Sequence, residues 1–117
     1  MKDSESIQQK HLFKWIRLKA LKDWRYDKIH HIPNGGLRAK TTAINLKLEG
    51  AKAGVWDIFI PIPKNDFGGM YIEMKFGKNK LTDNQIKFRE HLEGFYKFEV
   101  CYNWIEASKI IEAYLDN

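Results

Sequence analysis

From about Glu5 to Leu21 apolar residues recur at three- and four-residue steps: Ile7, His11, Leu12, Trp15, Ile16 and Leu18, with Gln9, Lys10, Lys14, Arg17 and Lys19 largely between them. This spacing predicts an amphipathic helix, with Ser4 as N-cap and Asp3 and Glu5 at the positive end of its dipole. Trp24 to Ile32 carries a weaker pattern, with a short strand expected ahead of Pro33. Pro33-Asn34-Gly35-Gly36 is a turn, because two glycines after Asn permit backbone angles that other residues avoid. Thr41 to Glu49 predicts a short helix ended by Gly50, with Ala43, Leu46 and Lys47 on one face.

Val55 to Ile62 predicts a strand closed by Pro61 and Pro63, neither of which can donate a ladder hydrogen bond. A turn at 65–69 then returns the strand Met70 to Phe76 antiparallel to it, as a hairpin. Thr82 and Gln85 fit a capping box opening a helix to about Glu93, terminated by Gly94. Phe95 to Tyr102 alternates Tyr96, Phe98, Val100 and Tyr102 against Lys97, Glu99 and Cys101, a third strand. Asn103 with Glu106 is a second capping-box candidate, starting a last helix that turns Ile110, Ile111, Tyr114 and Leu115 to the core. The order αβαββαβα implies an α/β (α+β) fold. With no repeat, linker or low-complexity stretch, residues 1–117 read as one domain.

Composition agrees: 117 residues with 44% hydrophobic and 14% aromatic content can bury one core but not two. Cys101 is the single cysteine, so there is no internal disulfide framework and no zinc-spaced Cys/His cluster. A reducing cytoplasmic setting is expected. The polar, acidic start is unlike a signal peptide, and no apolar run approaches the ~20 residues of a membrane span. The formal charge of +5 is unevenly spread: residues 1–54 carry 12 basic and 5 acidic side chains, residues 55–117 carry 8 and 10. A basic half beside a half that holds strand acids suits a protein placing a polyanion over an acidic centre; lysines that merely solubilise helices are the plainer alternative.

Tyr71-Ile72-Glu73-Met74-Lys75-Phe76 carries the sharpest chemistry. Side chains alternate along a strand, so Glu73 and Lys75 share one face while Ile72, Met74 and Phe76 take the other. Sixteen positions upstream, Val55 to Ile60 embeds a single acid, Asp57. An acid in each of two apolar strands costs several kcal/mol unless something positive compensates. A hard divalent cation with oxygen ligands is one such compensator, and it activates water or polarises a phosphoryl oxygen. An ion pair of Lys75 with Asp57 or Glu73 on a solvated face is the structural alternative. Among the histidines, His30 and His31 diverge as strand neighbours and no third ligand is suitably spaced. His11 and His91 are assigned to packing, and His31 retains a minor substrate role as an alternative.

Six segments in order resemble the virus-type replication-repair nuclease (VRR-NUC) domain of the PD-(D/E)xK nuclease superfamily: Ser4-Glu5 with Gln8, Ile32-Pro33-Asn34-Gly35-Gly36 followed by Arg38, Gly54-Val55-x-Asp57, Ile72-Glu73-Met74-Lys75, Leu81-Thr82 with Gln85, and Val100-Cys101-Tyr102. The resemblance implies a restriction-endonuclease-like core, a mixed central sheet flanked by helices. It also implies a Mg²⁺- or Mn²⁺-dependent endonuclease hydrolysing phosphodiester bonds in DNA. Asp57, Glu73 and Glu5 would be metal ligands, with Met74 contributing its backbone carbonyl. Lys75 would be the catalytic base or charge stabiliser, and Gln85 would point into the same site, in a rotamer other than the one its capping box uses. Trp56 stands where the family usually has proline, and is expected in the core rather than stacked on DNA.

Substrate contacts are expected from the glycine loop, where Asn34, Gly35 and Gly36 let backbone N–H groups approach phosphate and Arg38 and Lys40 add salt-dependent attraction, with Lys78 and Lys80 flanking. These contacts read shape rather than sequence, there being no helix-turn-helix or zinc finger. Stand-alone members of the family imply a phage protein acting as a homodimer on branched DNA such as four-way junctions, in replication, recombination or repair. A catalytically weak DNA-binding scaffold is the alternative, and an RNA-processing nuclease a third.

Overall fold

The computed structural model describes residues 2–33 and 40–116. The elements are α1 (Lys2–Ala20), α2 (Trp24–Asp27), β1 (His30–His31), α3 (Lys40–Leu48), β2 (Ile58–Ile60), β3 (Met70–Met74), α4 (Asp83–Arg89), β4 (Lys97–Cys101) and α5 (Trp104–Asp116). The expected order is present with one addition, the single turn α2. Asp23 caps it by accepting the Arg25 amide, which places a helix where the weak apolar pattern left the conformation open. Several bounds move inward. The strand expected over 55–62 is regular only across 58–60, and α4 stops at Arg89, with Gly94 (φ +102°) closing the turns that follow.

Ser4 is not the cap of α1, because the helix already runs from Lys2 and holds Ser4 and Glu5 inside its first turns. The buried stripe of α1 is also rotated from the expected one: Leu12 and Ile16 are fully inside, whereas Ile7 and Leu18 are half or more exposed. Helix α5 follows the expected pattern, with Ile111, Tyr114 and Leu115 buried. Its cap is built differently: Asn103 accepts the Glu106 amide, Glu106 turns back to the Tyr102 amide, and Gln8 of α1 accepts the Trp104 amide at 2.8 Å. One polar side chain thus joins α1 to the start of α5.

The four strands lie in spatial order β1-β2-β3-β4. The first two pairings are antiparallel, and β3 pairs parallel with β4, so the sheet is mixed and flanked by helices. The parallel pair requires a crossover, which α4 supplies. Alternation divides the strands' side chains between the two faces. Ile58, Ile60, Met70, Ile72, Met74 and Cys101 form the core with α1 and α5. Burial pushes the Cys101 thiol up to about 12, so it behaves as a small apolar group.

The opposite face carries a row of aromatics in register: Phe59 lies across from Tyr71, and Tyr71 across from Phe98. Their ring centroids are 4.6 and 5.2 Å apart, and Phe88 of α4 closes edge-on over Tyr71 at 5.4 Å. Helix α3 stands apart from this packing. Ala43 and Lys47 of its expected inner face are exposed and only Leu46 is half-buried.

Candidate active site

Moving two residue pairs from the Phe59–Tyr71 row toward the start of β2 brings Asp57 opposite Glu73, since Ile58 pairs with Ile72. The sheet register therefore joins two acids that are 16 positions apart in the chain. The Asp57 amide donates to Glu73 Oε1 at 3.0 Å, and the Met74 amide donates to Asp57 Oδ2 at 3.2 Å. Each carboxylate is thus held by the backbone of the other strand. Lys75 Nζ lies 3.7 Å from Glu73 Oε2, with both side chains nearly buried. The predicted shared face of Glu73 and Lys75 is present.

Gln85 departs from expectation. It was expected to need different rotamers for its capping and site roles, yet one rotamer serves both. Its Oε1 accepts the Thr82 amide at 2.9 Å, completing the capping box, while its Nε2 donates to Glu73 Oε2 at 2.8 Å. The amide has an acceptor at one end and a donor at the other, so it bridges helix start and carboxylate at once. Trp56 fixes the helix from the other side: fully buried, it donates from Nε1 to the Gln85 carbonyl at 3.0 Å and packs edge-on against Phe98. The indole is therefore core, as expected, and ties β2 to α4. Gly54, just before it, has φ +89° and lies so close to Asn84 of α4 that a Cβ would meet the Asn84 carbonyl oxygen at 2.3 Å.

Burial dominates the electrostatics. It raises the Glu73 carboxyl to about 7, with the Asp57 charge adding to the rise and the Asp57 amide, Lys75 and Gln85 opposing it. Asp57 is also raised by burial, against the Met74 amide, His31 and Lys75. One ammonium faces the buried Glu73 and the half-buried Asp57, so their full ionisation leaves an uncompensated negative charge. An all-oxygen pair in that state suits a hard divalent cation.

Beside the pair lies an open cleft of about 600 Å³. Asp57, Met74 and His31 line one side. Helix α1 supplies the other through Glu5, Gln9, Lys10, Phe13 and Arg17. Glu5 thus faces the same cleft as Asp57, with its Oε2 accepting from Asn79 Nδ2 at 3.3 Å. Among the described residues no three His, Cys, Asp or Glu side chains close into a metal-holding group. The conformation brings together the Asp57–Glu73 pair and leaves Glu5 on the facing wall.

Asn34, Gly35, Gly36 and Arg38, and the side chain of Lys40, lie outside the described residues. Lys78 and Lys80 are exposed in the loop after β3, whose Asn79 reaches Glu5. His31 Nδ1 is 3.0 Å from the Asp57 carbonyl oxygen, which also accepts the Ile32 amide. His30 turns its ring onto Phe59. His11 is exposed but sets its ring against Trp104, with centroids 6.2 Å apart, and His91 is exposed.

The architecture matches known proteins. A family model described as the VRR-NUC domain matches residues 3–104. The chain belongs to the VRR-NUC family. A solved structure named "VRR_NUC domain protein" superposes on 96% of this chain and 88% of its own, with a TM-score of 0.79 and 27% sequence identity. No curated protein gave a match. The VRR-NUC family is of nuclease type, and its matched span includes Glu5, Asp57, Glu73, Lys75 and Gln85. Among the described residues of this VRR-NUC domain no helix is long and apolar enough to cross a membrane.

The wall contributed by α1 was missed from sequence beyond Glu5. Its signal was available: positions 5, 9, 13 and 17 recur every four residues and share a helix face. Asn79 had no comparable signal, because it joins the cleft only through the path of its loop.

Proposed function

We propose that this VRR-NUC domain is a divalent-metal-dependent endodeoxyribonuclease of the PD-(D/E)xK type. The observation that carries the reading is the pairing of a half-buried Asp57 with the buried Glu73 across adjacent strands, faced by the Lys75 ammonium. A DNA-binding scaffold gains nothing from two acids whose burial opposes their charge. Asp57, Glu73 and the Met74 carbonyl would hold Mg²⁺ or Mn²⁺, with Glu5 reaching from α1. When bound, the ion supplies Lewis acidity toward water and phosphoryl oxygen. In the hydrolysis, water adds to phosphorus, one P–O ester bond breaks, and the departing oxygen takes up a proton. Lys75 is placed to orient the attacking water or to offset charge that grows on the phosphoryl group. Gln85 holds Glu73 at the oxygen nearest Lys75, fixing the spacing of the carboxylate and ammonium.

The preferred substrate in this reading is branched DNA, such as a four-way junction, met by a phage homodimer in the cytoplasm of its bacterial host. Two-fold symmetry would set two active sites on opposing strands.

Cleavage of junction, flap, duplex and RNA substrates, with and without Mg²⁺ or Mn²⁺, tests the proposal. Divalent-dependent DNA cleavage is expected, and Asp57→Ala and Glu73→Ala are each expected to abolish it. Retained activity in both variants would overturn the metal site. Cleavage of RNA alone would overturn the substrate class.

A further inference from the structure

Helix α1 carries basic residues of two kinds. Lys19 is committed to structure, paired with Glu112 of α5 at 2.9 Å. So is Arg25 of α2, which holds Asp23 and the Leu115 carbonyl. Lys10 and Arg17 differ: both are exposed, both line the cleft that contains Asp57, and among the described residues neither is in an ion pair. Lys14, on the same helix and also exposed, does not line the cleft.

Their order along the helix matters. At about 1.5 Å rise per residue, Lys10 stands roughly 7.5 Å and Arg17 roughly 18 Å along the axis from Glu5. A DNA strand winds around the axis as it rises ~3.4 Å per phosphate, so successive phosphates are about 7 Å apart through space. Measured from the acidic end of the cleft, the two cations fall about one and about three phosphates away. Between them Phe13 forms an uncharged stretch of wall, and its inner side packs on the core.

We propose that the Lys10–Arg17 edge of α1 is a phosphate-binding rail that holds the DNA strand to one side of the scissile bond over about three nucleotides. This inference rests on the nuclease reading of the acid pair. The rail carries no base readout: both residues address phosphate, so it fixes register and direction. It also places part of the basic excess of residues 1–54 directly beside the candidate catalytic acids. A cation late in a helix also favours the helix dipole, and that structural role alone makes no demand on DNA.

The test measures duplex binding by the full chain with Ca²⁺ as divalent ion, over a series of KCl concentrations. Lys10→Ala and Arg17→Ala are each expected to reduce the slope of log K against log[salt] by about 0.9, with the double variant losing roughly twice that. At 0.1 M salt each loss corresponds to about eightfold in affinity. Arg17→Lys is expected to restore the slope, and Lys14→Ala to leave it unchanged. A single neutral methylphosphonate at about the third phosphate from the cut is expected to weaken the wild-type protein and not Arg17→Ala. If the wild-type protein cleaves DNA while both alanine variants keep its slope, the rail is overturned and the nuclease reading stands. If it neither binds nor cleaves DNA, both fall together.

Discussion

Glu73 makes the stability of the metal-free protein depend on pH in a direction opposite to that of most folded-state carboxylates. Its folded carboxyl titrates at about 7 against an ordinary value of 4.5. Between those values the native state holds a proton that the unfolded chain has released. The derivative of unfolding free energy with pH is set by protons bound unfolded minus protons bound native, and here that difference is negative. Stability from this group is therefore fully present below pH 4.5 and is lost as pH rises through 7. One pKa unit is about 1.4 kcal/mol, so the loss by pH 8 is on the order of 3 kcal/mol. Asp57, raised for the same reason, acts in the same direction and shares the proton balance of the pair. Asp23 runs oppositely: Arg25 holds it below its usual range, so that contribution vanishes only in acid.

The difference between wild type and Glu73→Gln reads the proton of the Asp57–Glu73 pair, because the carboxylates outside the pair cancel. Urea denaturation of both proteins in chelator at half-unit steps from pH 5 to pH 8 is the assay. Wild type is expected to weaken relative to Glu73→Gln by about 2–3 kcal/mol across this range. Millimolar Mn²⁺ is expected to remove most of that decline by stabilising the ionised pair. A difference that stays flat, or that favours wild type as pH rises, would refute the claim that burial governs this carboxylate.

Gln85→Glu retains an acceptor for the Thr82 amide but sets a third carboxylate against Glu73. A loss of about 1.5–3 kcal/mol is expected at pH 8, shrinking toward pH 5 as the acids protonate; equal stability at both pH values would count against the bridge. Gly54→Ala is expected to destabilise by at least ~2 kcal/mol in thermal or urea unfolding, because its Cβ meets Asn84 backbone at a positive-φ position.

Much of the site was legible in the sequence because strands impose a period of two. Glu73 and Lys75 had to share a face once β3 formed, and Thr82 with Gln85 had to start a helix, since a short polar side chain there satisfies an otherwise unpartnered amide. The hairpin was legible too, from turn residues between two apolar runs. The rotation of α1 was not. A helix with apolar residues on more than one side has several candidate inner faces, and only its packing into the core beside α2 and α5 selected Leu12 and Ile16 over Ile7 and Leu18.

The sequence alone thus determined which acids could serve and which face of each strand would carry them, because backbone periodicity is local. Tertiary structure decided what they became. Register set Asp57 against Glu73, burial lifted their protonation, and the docking of α4 through Trp56 let one glutamine cap a helix and hold a carboxylate together. It also turned α1 so that Glu5, Lys10 and Arg17 line the cleft, an arrangement that depends on packing between segments far apart in the chain.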